Sequence, residues 1–284
     1  IDWIAERRTL GPIDIVAGYV YQPGEERRQS STAVHEAALA ADVRERSAAL
    51  GAPRVRVASG WGRVAEHLLD LAAEENTDLL VIGTHRRTGI DRMLHGSVSL
   101  GIVGHARRNV LTVPRSEAPN NAKVAPLNVR RVLVPVDMSD MSRRAIAWGC
   151  TLLPSGGTLQ LLHVVAPFIA TGTDFGTYVP LPPPSAAETE RTEREISAKL
   201  RQFVPPDALT RGVEVHVEVV TAFSAPDAIA RAAERLDSDV ICLSTHGRSG
   251  LTRALLGSVA QGVVRHAHVP VLVVPPDHGQ AHPH

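Results

Sequence analysis

The chain says the same thing twice. Asp78 to Pro114, DLLVIGTHRRTGIDRMLHGSVSLGIVGHARRNVLTVP, returns without a gap as Asp239 to Pro275, DVICLSTHGRSGLTRALLGSVAQGVVRHAHVPVLVVP. About half the positions are identical, and they are not scattered apolar ones: Thr84/Thr245, His85/His246, Arg87/Arg248, Gly89/Gly250, Gly96/Gly257 and Ser97/Ser258 cluster just after an apolar run. So long a period in 284 residues means two domains of ordinary size, each able to bury its own core, and not a solenoid of short repeats. Two copies of one loop mean two ligand sites, or one site and its relic.

The second copy is the more complete. RRVLVPVD (130–137) is a short β-branched run ending in a polar turn, the pattern of a buried parallel strand. Ser139 or Ser142 caps a helix with Ala145, Trp148 and Leu152 at helical spacing, and Gly156-Gly157 stops it. TLQLLHVVAP (158–167) is the second strand. Residues 168–185 are too rich in Gly and Pro for regular structure, and a charged helix follows over 186–203. VEVHVEVV, the helix APDAIARAAERL, DVICLS, the helix GSVAQGVVRHA and VPVLVVP complete the copy. Strands alternating with helices predict an α/β fold, a parallel sheet covered on both faces through right-handed crossovers.

In the first copy, IDIVAGYVYQP (13–23), RVRVAS (54–59), DLLVIG and NVLTVP align with strands two to five, and nothing aligns with RRVLVPVD. In a flavodoxin-like order with the first strand central, its absence tears the sheet in half. The chain starts with Ile, so the expectation is that residues ahead of position 1 are missing, with IDWIAERRTL the remnant of a first helix. A strand from another chain is the alternative. The expected layout is domain 1 over 1–115, a polar Pro-containing linker over 116–128, domain 2 over 129–276, and a disordered tail over 277–284 whose three histidines lack a companion cluster.

Lys plus Arg equal Asp plus Glu at 30 each, which removes the summed field that would recruit nucleic acid or an anionic membrane. Cys150 and Cys242 form neither a disulfide framework nor a metal knuckle. With no long apolar run and no signal-peptide pattern, the expectation is a cytoplasmic protein.

Ligands of open parallel sheets sit beyond the carboxyl ends of the strands where the strand order reverses, here the loops after strands one and four. After strand four, Ser244-Thr245-His246-Gly247 leads through RSGLTRALL to Gly257-Ser258. Glycine lets backbone approach a phosphate, and a helix start at Ser258 points unpaired amides at an anion. Gln261, three residues on, also makes Ser258 a capping-box residue. Asp137 contacts ligand or caps the next helix; His85 and His246 hold a tight turn or act on ligand; Arg87 and Arg248 meet phosphate or solvent. No general base or nucleophile is assignable, and the sequences GxxxxGK[ST], GxGxxG and GxSxG are absent.

The G-x-x-G pattern, nine residues, then G followed by S or T, with VPVD, LLHVV, THGRSG, LLGSVA and VPVLVVP in order, resembles the nucleotide-binding loop of the universal stress protein family over nearly the whole chain. The resemblance implies two tandem flavodoxin-like (adenine nucleotide alpha hydrolase-like) domains, each a five-stranded parallel sheet with helices on both faces. It also implies an intramolecular pseudo-dimer through the last strands, with a homodimer as a further option, and ATP or another adenine nucleotide as cofactor, accompanied by a divalent cation such as Mg2+. Position by position, it sets Pro135, Val136 and Asp137 against adenine and ribose and Val164 at the adenine edge. Ser244, His246, Gly247 and Arg248 then lie along ribose and phosphates, with Gly257, Ser258 and Val259 closing over the phosphate tail. Ser244 stands where the family has its first glycine. In domain 1 the weaker counterparts are Val20, Gly83, His85, Gly96 and Ser97, with Arg86 in place of the second glycine. The reading is a nucleotide-responsive stress protein with its site mainly in domain 2. The alternatives are an interaction scaffold that binds no nucleotide, and an enzyme that is at most a slow ATPase.

Overall fold

The computed structural model describes residues 14–22, 32–48, 53–84, 92–114, 129–167, 185–245 and 256–276. The chain divides into two compact units, Ile1–Asn128 and Val129–His284.

The first unit contains β1 (Val16–Tyr21), α1 (Thr32–Arg46), β2 (Arg54–Ser59), α2 (Val64–Glu74), β3 (Leu79–Thr84), α3 (Arg92–His105) and β4 (Asn109–Pro114). β1 pairs in parallel with β2, Val16 opposite Arg54, and β3 with β4, Leu79 opposite Asn109. Among the described residues of this unit no strand joins the two pairs. The two copies differ in burial. Val81 on β3 is 37% exposed, whereas its repeat partner Cys242 is 0% exposed.

The second unit contains β5 (Arg131–Pro135), α4 (Asp140–Leu152), β6 (Thr158–Val165), α5 (Ala186–Arg201), α6 (Pro206–Thr210), β7 (Glu214–Thr221), α7 (Ala225–Arg235), β8 (Val240–Ser244), α8 (Ser258–His266) and β9 (Val271–Val274). Its sheet runs β9-β8-β5-β6-β7, all parallel, with the first strand of the copy in the centre as expected. Val132, Leu133 and Val134 are wholly buried, which is why this strand reads as an unbroken apolar run. The polar Gln160 is tolerated in the core because its amide donates to the Leu236 carbonyl (3.0 Å) and its oxygen accepts from the Ser238 hydroxyl (2.5 Å).

Local detail repeats with the duplication. After α2 and after α7 the chain turns through left-handed residues, Asn76 (φ 49°) and Asp237 (φ 52°). The next amides, Thr77 and Ser238, reach back to Ala72 and Ala233 carbonyls at 3.1 and 2.8 Å, closing a Schellman end in both copies. Two expectations need correction. The buried face of α4 is Ser142, Ala145, Ile146, Gly149 and Cys150, with Trp148 and Leu152 only half-buried, because Gly149 lets the helix settle onto Val132 and Val134. Ser258 is not the cap of α8: Gly257 is, without a side-chain bond. The short helix α6, with Pro206 in its first turn, links α5 to β7.

Candidate functional site

β5 and β8 are neighbours in the sheet, and from β5 the chain crosses one way to β6 while β8 lies on the other side. The crevice at their carboxyl ends is therefore where the strand order reverses. Pro135 ends β5 beside Leu162, and the Val136 amide donates to the Leu162 carbonyl at 2.8 Å, so the backbone stays extended one residue past the strand. Asp137 follows, then Met138 with a positive φ of 68°, and Ser139 caps α4. The Asp137 carboxylate oxygen Oδ1 accepts from the Ser139 amide (3.1 Å), the Ser139 hydroxyl (2.6 Å) and the Ser142 hydroxyl (2.5 Å). Its own amide donates to Ser142 Oγ at 3.1 Å. The cap of α4 is Ser139, and Asp137 braces that cap and Ser142, which fixes its carboxylate at the carboxyl end of β5.

One residue of this end escapes the sequence reading. His163 on β6 bonds through Nδ1 to the Val136 carbonyl at 2.6 Å. A carbonyl only accepts, so Nδ1 carries the proton of this bond. The available signal was its place inside LLHVV, directly before Val164. Val164 is half-buried, opposite Val220.

Across the crevice, Ser244 is the half-buried last residue of β8, and buried Thr245 continues the line with its amide on the Val274 carbonyl at 3.0 Å. The Gly257 amide donates to the Thr245 carbonyl at 2.9 Å, so the chain that leaves β8 returns to its own starting point and enters α8 there. Ser258 and Val259 in the first turn are exposed, Val259 at 41%. With Gly257 as cap, among the described residues no side-chain cap bond is made to the amides that a helix start leaves unpaired. His246, Gly247 and Arg248 lie outside the described residues, as do His85, Arg86 and Arg87.

The first copy is arranged differently. Gly96 and Ser97, the repeat partners of Gly257 and Ser258, lie inside α3, which begins at Arg92. Amides that far into a helix are consumed by the preceding turn. Gly83 is exposed on β3 with open space around it, its carbonyl accepting from Ser99 at 3.2 Å, and Val20 is buried on β1. Among the described residues no His, Cys, Asp and Glu cluster able to hold a metal occurs in either unit, and no helix is long and apolar enough to cross a membrane.

Two tandem segments, 14–114 and 128–275, match the sequence model of the universal stress protein family. The chain belongs to that family. Universal stress protein MJ0531 of Methanocaldococcus jannaschii is 32% identical over 148 residues, 51% of this chain and 81% of that protein. Universal stress protein Rv2623 of Mycobacterium tuberculosis is 30% identical over 149 residues, 50% of this chain but 46% of its own length, so the chain spans about half of that relative. A universal stress protein from Archaeoglobus fulgidus shares the fold over 98% of this chain and 92% of its own, with a TM-score of 0.61 at 20% identity. The α/β architecture and its duplication are thus those of a tandem universal stress protein.

Proposed function

We propose that this universal stress protein is a nucleotide-responsive regulator that binds ATP or a related adenine nucleotide in its second domain. The observation that carries the reading is the start of α8. Gly257 is tied to Thr245 just past β8, no side chain among the described residues caps the first turn, and Ser258 and Val259 are exposed beside the switch point. An anion there gains both free amides and the positive end of the helix dipole. Pro135, Val136 and the half-buried Val164 supply the apolar wall for adenine, and Asp137 the carboxylate for ribose. Ser244, His246, Gly247 and Arg248 complete the phosphate side. A divalent cation enters on the nucleotide's own phosphates, since the described residues hold no protein-only metal cluster.

One observation favours the rival reading of an interaction scaffold without ligand. The Asp137 oxygen that would meet ribose is already engaged by Ser139 and Ser142. The test is to denature the purified protein, identify released nucleotide by mass spectrometry, and titrate ATP, ADP and AMP by calorimetry. Gly247→Arg and Ser258→Asp serve as the site variants. An acidic residue in the first turn favours a helix yet repels phosphate, so Ser258→Asp is expected to keep the fold and lose at least about tenfold in affinity. No released nucleotide, and no binding tighter than millimolar in any titration, leaves the scaffold reading.

A further inference from the structure

The sheet of domain 2 ends on an open strand. Among the described residues no strand lies beyond β7, Glu214–Thr221. Bonds to β6 use alternate residues: at one end the Glu214 amide donates to the Gly157 carbonyl at 2.9 Å, and at the other the Ala222 amide donates to the Val165 carbonyl at 3.0 Å. The even-numbered residues are therefore turned to β6, and Val215, Val217 and Val219 turn their amides and carbonyls outward. Arg201 marks the same direction, donating to the Val215 carbonyl at 3.1 Å from outside the ladder. Such an edge is a template for another strand.

The side chains on β7 choose that strand. Glu218 pairs with Arg235 of α7 at 2.6 Å, and Gln160, beside His216, reaches the Leu236 carbonyl at the end of that helix. Glu214, His216 and Glu218 thus line the α7 face, with the His216 and Glu214 side chains 67% and 72% exposed. Laid antiparallel on itself about a two-fold axis at Val217, β7 sets His216 of each copy opposite Glu218 of the other, in the non-hydrogen-bonded pairs where side chains stand closest. Val217 exchanges both backbone bonds with its own counterpart, and Val215 with Val219. A centre at Glu218 sets carboxylate against carboxylate, and a centre at His216 sets Glu214 against Glu218, so charge fixes the register. Past the strand, the same axis carries Phe223, 85% exposed, toward the α6–β7 turn of the other copy, where Leu209 is 54% exposed.

We propose that the outer edge of β7 is a self-association surface whose partner is a second copy of this chain, paired antiparallel about Val217. The contact is isologous, so it closes as a dimer. Arg201 stays in place, since a carbonyl accepts two bonds. The surface lies at the edge of domain 2 opposite β9 and is independent of the nucleotide site.

The experiment is sedimentation equilibrium of the 284-residue chain. Reversible dimerisation is expected, weaker than about micromolar, as suits an interface of one strand per copy. His216→Glu turns both cross-strand pairs repulsive and is expected to raise the dissociation constant at least about tenfold; Glu218→Lys, which sets a cation beside His216, does the same. Mixed one to one, the two variants place the introduced glutamate opposite the introduced lysine and Glu218 opposite His216, so the mixture is expected to recover association. A wild-type chain still monomeric at about 1 mM overturns the proposal. So does a dimer whose dissociation constant is unchanged in both single variants, or a mixture that associates no better than either variant alone.

Discussion

Gly262 sits in α8 against α7, and a Cβ built there lies 2.6 Å from both Cβ and Cγ of Pro226. Carbon atoms pack best at about 3.5–4.0 Å, so Gly262→Ala demands roughly 1 Å of separation between the helices. The pyrrolidine ring at the start of α7 cannot rotate aside as a flexible side chain would. Overpacking of this kind costs about 1–3 kcal/mol, and two ring carbons struck at once argue for the top of that range. Against it stands the helix propensity of alanine over glycine, about 1 kcal/mol. The net is a loss of about 2 kcal/mol, and at about 2–4 °C per kcal/mol for a domain of this size the melting temperature falls by about 4–8 °C in calorimetry. Gly101→Ala is the control: its Cβ meets only the Ala65 methyl at 3.0 Å, and propensity offsets most of the cost. An unchanged or raised melting temperature for Gly262→Ala refutes the argument.

Asp137→Ala leaves two serine hydroxyls and an amide without their acceptor and is expected to cost about 1–3 kcal/mol in urea unfolding, with Asp137→Asn costing less because it keeps an oxygen; equal losses would show that the charge matters more than the acceptor. Burial pushes the Cys150 thiol up to about 11 and raises Cys242 further, so neither is expected to react with iodoacetamide at neutral pH until the protein unfolds, and native-state labelling seen by mass spectrometry would contradict this. Asp227 on α7 is held below its ordinary range by the Ser224 hydroxyl first and then by His266, whose Nδ1 lies 2.7 Å away. A depressed carboxylate stabilises above its unfolded value of 3.8 and loses that contribution as pH falls through the lower folded value. Asp227→Asn should therefore lower the urea midpoint at neutral pH and leave it unchanged at the acid end. Leu133→Ala removes a wholly buried side chain from the central strand and is expected to cost about 2–5 kcal/mol by the same assay.

The sequence alone determined the duplication, the α/β class and the central place of RRVLVPVD, because apolar runs, turn residues and helix stops act within a few residues of themselves. Even the paired terminators Asn76 and Asp237 are local facts, written once and copied. What only the tertiary structure decided is where neighbours close over these elements. Trp148 matches helical spacing as well as Ile146 does, but Gly149 against Val132 and Val134 sets which one is buried. His163 looks like any strand residue until Val136 brings its carbonyl within 2.6 Å. Gly96-Ser97 and Gly257-Ser258 are identical dipeptides, yet one lies inside a helix and the other opens one. A helix start is set by which amides lose their partners to the surrounding chain, and that is a property of the fold around the dipeptide.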